Sequence, residues 1–205
     1  MSRIVSLSRA SPKLTGRVIS AILGGVVLNS LARAGKIGTT RDFFSNYTMA
    51  TYVLYLLVED EALKANSYYN FNVIERDKEN AGYDLLTAET FVGLAGKPHL
   101  LNLGVKAMLV RKDINEASHF WLAPRSSIYK SGHQMVNSLG VIDMSYRGVL
   151  KAPVVPFTNE ATGFKAGDRH FQILAPDMGW ISEVRRVDVL PETARGAGGF
   201  GSTGK

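Results

Sequence analysis

The final eleven residues, Arg195-Gly-Ala-Gly-Gly-Phe-Gly-Ser-Thr-Gly-Lys205, gather backbone amides, two hydroxyls, two cations and one aromatic ring. That inventory suits a polyphosphate attached to a flat base. Successive glycines let main-chain N–H groups close around phosphate oxygens, and oriented amides form an anion-binding concavity. By string alone, Gly196-x-Gly198-x-x-Gly201 matches a dinucleotide loop and Gly199-x-x-x-x-Gly204-Lys205 matches most of a P-loop. Both need a following helix whose N-terminus holds the phosphate. With the chain read as ending at Lys205, both are expected to fail. A solvated Gly/Ser tail is the ordinary reading of such a terminus. Phe200 and Arg195 argue against it, because a flexible linker has no use for a ring or a guanidinium, whereas a tail closing over a nucleotide needs both.

Four internal stretches carry further chemistry. Pro124-Arg125-Ser126-Ser127 sets a fork-shaped cation and two hydroxyls before a short helical piece expected between Ser127 and Ser138. The group could clamp a phosphate, or one of the serines could cap the following turn. In Gly140-Val-Ile-Asp143-Met-Ser-Tyr146-Arg-Gly148 an acid stands at a strand end; it is either a turn former or a general base, which needs a carboxylate held within reach of a water. Ala81-Gly82-Tyr83-Asp84-Leu85 offers a second carboxylate at a strand start. Asp84 is a solvated turn residue or a partner for Mg²⁺, an ion that keeps most of its waters and shares substrate phosphates with one or two carboxylates. In Gly167-Asp168-Arg169-His170-Phe171-Gln172, the polar Gln172 alternates with Phe171 and Ile173 and is the residue best placed to face a site. The four histidines show no metal-ligand spacing.

The elements that must position these groups read as short strands. Tyr52 to Val58, the alternating run from Leu101 to Leu109, His119 to Ala123, Arg147 to Lys151, His170 to Leu174 and Ile181 to Leu190 are punctuated by Gly, Pro and Asn/Asp clusters. Hardly any helix intervenes, so a closed or double-sheet all-β architecture is expected. A domain boundary falls between about Arg41 and Ala50. Residues 1–41 hold Arg3, Arg9, Lys13, Arg17, Arg33, Lys36 and Arg41 and no acid; removing these seven from the chain's 24 cations leaves 17 against 18 acids. The formal charge of +6 therefore belongs to the arm, and nucleic-acid binding would have to rest on the arm alone. Within it, the apolar stretch Val18 to Leu31 falls short of the roughly 20 residues that span a bilayer. An Arg- and Ser-rich, acid-free amphipathic N-terminus also resembles an organellar targeting segment, set against a disordered or oligomer-docking arm. The absence of cysteine excludes disulfides and thiolate metal sites and fits a reducing compartment.

Taken in order, Asn-Ala-Gly-Tyr-Asp-Leu, Pro-Arg-Ser-Ser, Gly-Val-Ile-Asp-x-x-Tyr-Arg-Gly, Gly-Asp-Arg-x-x-Gln and Arg-Gly-x-Gly-Gly-Phe-Gly-Ser-Thr-Gly resemble the five motifs of trimeric deoxyuridine triphosphatases. The resemblance runs from about Ala50 to Lys205. It implies an all-β jelly roll at residues 50–190, a basic extension at 1–49, and a C-terminal arm at 191–205 that closes over a neighbour's site in a homotrimer. Carried over by position, it implies that Asp143 activates the water attacking the α-phosphorus of dUTP, releasing dUMP and pyrophosphate. Tyr146 would stack beneath the deoxyribose, Asn137 and the backbone around Gly140 would read uracil, and Asp84 would hold Mg²⁺ through water. Arg125, Ser126, Ser127 and Gln172 would contact phosphate oxygens. Arg195 would meet the γ-phosphate, Phe200 would cover the base, and Gly201, Ser202 and Thr203 would wrap the phosphates. Such an activity limits uracil entry into DNA, supplies dUMP for dTMP synthesis, and belongs inside the cell, in cytoplasm or nucleus. Ser145 and Val149 stand where the family usually has Asp and Glu, and His170-Phe171 replaces a small aliphatic pair. Two other readings are a non-catalytic regulatory protein of this fold and an enzyme related to deoxycytidine triphosphate deaminases; the Asp-x-x-Tyr arrangement disfavours the second.

Overall fold

Alternating apolar and polar residues build most of what the computed structural model contains, and it describes residues 49–199. The arm with its apolar stripe, and Phe200, Gly201, Ser202 and Thr203, lie outside the described residues. Strand β1 (Thr51–Val58) is the near-continuous apolar run TYVLYLLV because it is a central strand. It pairs in parallel with β14 (Trp180–Arg186) and antiparallel with β6 (Val105–Arg111). β2 (Val73–Glu75) and β7 (Glu116–Ser118) complete this five-stranded sheet in the order β2-β14-β1-β6-β7.

A second sheet carries the chemistry. It orders β10 (Gly140–Ile142), β8 (Phe120–Pro124), β13 (Phe171–Leu174) and β3 (Tyr83–Leu85) side by side. A three-stranded sheet, β5 (His99–Asn102), β11 (Lys151–Pro156) and β9 (His133–Met135), and the β4 (Phe91–Gly93) and β12 (Thr162–Phe164) pair complete the described chain. Leu54, Leu101, Phe171 and Phe164, one from each sheet, belong to a single buried apolar cluster. The expected all-β jelly-roll class is what the described residues form.

Several boundaries differ from the sequence reading, each for a local reason. The run from Leu101 to Leu109 is two strands, because Gly104 breaks it in a left-handed conformation, φ +65°. Its carbonyl accepts the Glu59 and Asp60 amides. The segment Arg147–Leu150 is irregular, with a bend at Gly148, and strand pairing begins at Lys151. The last strand stops at Arg186. The helical piece expected between Ser127 and Ser138 is a 3-10 turn, Ser126–Ser131, ended by left-handed Gly132 and followed directly by β9. One four-residue helix, α1 (Glu61–Lys64), and a 3-10 turn (Ser67–Tyr69) went unread; Asp60 caps the first by accepting the Leu63 amide.

Candidate active site

Strand register decides where each functional residue falls. On the second sheet, Gln172 of β13 stands opposite Asp84 of β3 on one side and Ala123 of β8 on the other. Gly140 of β10 stands opposite Leu122 of β8. Asp84, Gln172, the residues just past Pro124 and the residue just past Ile142 therefore belong to one scaffold, although they are scattered along the chain from residue 84 to residue 172. They open onto two clefts.

The first cleft, about 190 Å³, is lined by Asn137, Gly140, Asp143, Tyr146, Lys151 and Arg195 among others. The hairpin from β9 to β10 supplies Asn137 and Gly140, with Ser138 in a left-handed conformation at its tip. Asp143 follows β10 and opens a turn in which the Tyr146 amide donates to the Asp143 carbonyl. Tyr146 folds back so that its hydroxyl donates to the Val149 carbonyl at 3.0 Å. This fold-back requires Gly148, where a Cβ would lie 2.6 Å from the tyrosine Cζ. The Tyr-Arg-Gly string is thus a steric unit. Burial raises the Tyr146 phenol above its ordinary value, with the Arg195 charge opposing; it stays a neutral ring suited to stacking. Arg195 donates to Asp143 Oδ2 while its guanidinium stands 5.9 Å over the Tyr146 ring. The turn is tied to the following segment by Thr193 Oγ1 to Ser145 O and by Arg147 N to Gly196 O.

The second cleft, about 540 Å³, is lined by Tyr68, Arg76, Gly82, Asp84, Arg125, Ser126 and Gln172 among others. Asp84 Oδ1 lies 2.9 Å from Arg125 Nε, and Oδ2 lies 3.8 Å from Arg169. Arg125 is also fixed through Nη1 to the Arg169 carbonyl at 2.8 Å. Arg125 occupies the N-cap position of the 3-10 turn, and no side chain caps it. The capping alternative for Ser126 and Ser127 is therefore overturned: the six-residue turn begins one residue earlier than expected. Ser127 Oγ turns instead toward the Arg169 carbonyl and His170 Nδ1, each at 3.4 Å. Gln172 Nε2 donates to the Pro124 carbonyl, leaving its Oε1 beside Gly82.

Chemically, the first cleft offers a flat-group pocket edged by main-chain groups and one carboxylate. The second offers cations and hydroxyls with one acid between arginines. Among the described residues no three His, Cys, Asp or Glu side chains come together as a metal cage. Asp84 alone fits a hard cation that brings its own oxygen ligands, as one carried by a triphosphate does.

Two lining residues of the second cleft, and one residue beside Asp143, were missed. Tyr68 sits 5.6 Å under the Arg169 guanidinium, and Arg76 braces the Gly82 loop by donating to the Asn80 and Gly82 carbonyls. Burial lowers the Arg76 guanidinium below its ordinary value, with the Tyr68, Tyr83 and Asp84 charges opposing. His119 Nδ1 lies 3.5 Å from Asp143 Oδ1. A histidine one residue ahead of a strand was the only available signal, and it became meaningful only through pairing.

The chain that carries these two clefts matches a known family. The dUTPase family model matches residues 70–204, which includes the glycine-rich tail. The chain is 36% identical over 130 residues to the deoxyuridine 5'-triphosphate nucleotidohydrolase of Nautilia profundicola, covering 62% of this chain and 87% of that protein. It is likewise 36% identical over 130 residues to the proteins of that name from Yarrowia lipolytica, covering 60% and 76%, and from Paramecium bursaria Chlorella virus 1, covering 60% and 83%. The crystal structure of dUTPase from Streptococcus mutans is similar at 27% identity and a TM-score of 0.41, over 58% of this chain and 88% of that one. The chain belongs to the dUTPase family.

Proposed function

We propose that the chain is a dUTP diphosphatase, converting dUTP and water to dUMP and pyrophosphate. The observation that carries the reading is Asp143, a carboxylate one residue past a paired strand, edging a cleft formed by Asn137, Gly140 and Tyr146. Uracil would meet hairpin main-chain groups and the Asn137 amide, whose fixed donors and acceptors refuse the exchanged pattern of cytosine. Tyr146 would lie under the sugar. Asp143 takes a proton from water as the water oxygen bonds to the α-phosphorus; the bond to the bridging oxygen breaks and its electron pair leaves with pyrophosphate.

Arg125, Ser126, Ser127, Gln172 and Arg195 would hold the phosphate chain, with Gly201, Ser202 and Thr203 wrapping it and Phe200 covering the base. A divalent ion, which we take to be Mg²⁺, would be held by Asp84 through water and by the phosphates, and it would neutralise charge that otherwise repels the nucleophile.

The two clefts share no lining residue, which supports a site assembled from several copies of the chain. We take the assembly to be a homotrimer, with residues 191–205 acting as an arm on a body of residues 50–190 and residues 1–49 as a basic extension. No helix among the described residues is long and apolar enough to cross a membrane. The lack of cysteine suits a reducing intracellular compartment.

Asp143→Asn tests the assignment. Turnover of dUTP should fall at least about a thousandfold while nucleotide affinity, read by calorimetry, stays within about threefold. Full turnover in the variant would remove Asp143 from this role, and ammonia release from dCTP would overturn the reaction itself.

A further inference from the structure

We propose that His119 is a positioning residue for Asp143, a role that rests on the reading of Asp143 as the general base. The last pair of the β8–β10 ladder is Phe120 opposite Ile142, and continuing the antiparallel register one step brings His119 opposite Asp143. Phe120 is almost fully buried, so the ladder end is anchored there. Past it, pairing gives way to side-chain contacts. His119 Nδ1 accepts the Met144 amide at 3.3 Å, the amide next in sequence to the base, and lies 3.5 Å from Asp143 Oδ1. On the other side, Ser118 Oγ donates to the His119 carbonyl at 3.0 Å.

An accepting Nδ1 makes this imidazole neutral, with its hydrogen on Nε2. In that form it satisfies the Met144 amide and so holds the turn that carries Asp143. The other charged groups at this carboxylate are Arg195, on Oδ2, and Lys151, which lines the same cleft. Neither can accept from an amide.

The test compares His119→Ala and His119→Asn with the parent full-length chain, using dUTP with Mg²⁺ and the Asp143→Asn chain as a benchmark. His119→Ala should lower kcat by roughly tenfold or more with KM changed less than about threefold, since a loosened base costs rate more than binding. His119→Asn, whose amide oxygen can accept in place of Nδ1, should recover kcat to within about threefold. Parental kcat in His119→Ala or no recovery in His119→Asn would each overturn the inference. Should His119→Ala not fold, His119→Phe, whose ring fills the place and accepts no hydrogen bond, replaces it in the same comparison with His119→Asn. An inactive Asp143→Asn chain beside a fully active His119→Ala chain refutes His119 only. An active Asp143→Asn chain refutes the general base, and the inference falls with it.

Discussion

Gly82 and Gln172 compete for one volume: a Cβ on Gly82 would collide with Gln172 Oε1 and lie 2.8 Å from its Cδ. The glycine is what lets the amide of Gln172 lie against the loop before β3 and across from Asp84. Gly82→Ala should drive Gln172 off this position and lower kcat/KM for dUTP by roughly tenfold, while leaving the apolar core intact. Steady-state kinetics beside thermal melting checks it. A variant with parental kcat/KM would mean that Gln172 does not act on the phosphates from this position.

Arg195 reaches Asp143 and Tyr146 from the C-terminal segment, so the same cation must leave the carboxylate if it is to meet a γ-phosphate. Hydrogen bonds to charged groups are worth about 1.5–3 kcal/mol, which translates to roughly tenfold or more in affinity. Arg195→Gln should therefore weaken dUTP binding by at least that factor and leave dUMP, which has no γ-phosphate, bound as before. Calorimetry with both nucleotides reads the difference. Equal loss for the two would place the guanidinium's role on the base or on the turn.

What could be read from the residues alone was whatever is local. β1 was legible because Tyr52 to Val58 is apolar throughout, which suits a strand paired along both edges with most of its side chains buried. Asp143, Tyr146 and Gly148 were legible as a string because the fold-back of Tyr146 over Gly148 is built from neighbours. Pairings across the sheet were not. Asp84 against Arg125, Tyr68 against Arg169 and His119 against Asp143 join residues separated by 24 or more positions, and no spacing rule encodes them. The serine cap was misread because Arg125, drawn toward Asp84 and the Arg169 carbonyl, itself takes the position at the head of the turn.

His170 stands where the family usually carries a small aliphatic residue, and its environment makes stability depend on pH. Burial lowers its imidazole below the ordinary value, the Asp168 carboxylate opposes this, and Arg125 adds to it. The unfolded chain therefore binds a proton at a pH where the folded chain still does not, and stability rises with pH through that interval. The contribution is present above the ordinary imidazole value of about 6.5 and is lost as pH falls through the folded value. His170→Gln should lose less stability than the parent between pH 7 and pH 5, measured as the shift in urea midpoint. Parallel pH curves for the two proteins would show that His170 carries none of this dependence.

The proposed sharing of the pocket between copies makes a sharper demand than any single variant. If residues 200–205 close over the cleft of another copy, a chain lacking that tail and a chain carrying Asp143→Asn are each inactive alone but complementary together. The truncated chain supplies the intact carboxylate and the Asp143→Asn chain supplies the intact tail. Random co-assembly in equal amounts gives each site both parts with a chance of one half for the base times one half for the tail, so roughly a quarter of the parental rate should return. The arm as far as Gly199 is kept in both chains, because Thr193, Gly196 and Arg195 already bind the Ser145–Arg147 turn and Asp143 of their own subunit. Closure over the cleft of the same chain predicts no recovery, since every intact carboxylate would then sit in a chain without its tail. Co-expression followed by assay of dUMP formation separates the two, and a mixture as inactive as its parts would end the crossed-arm reading.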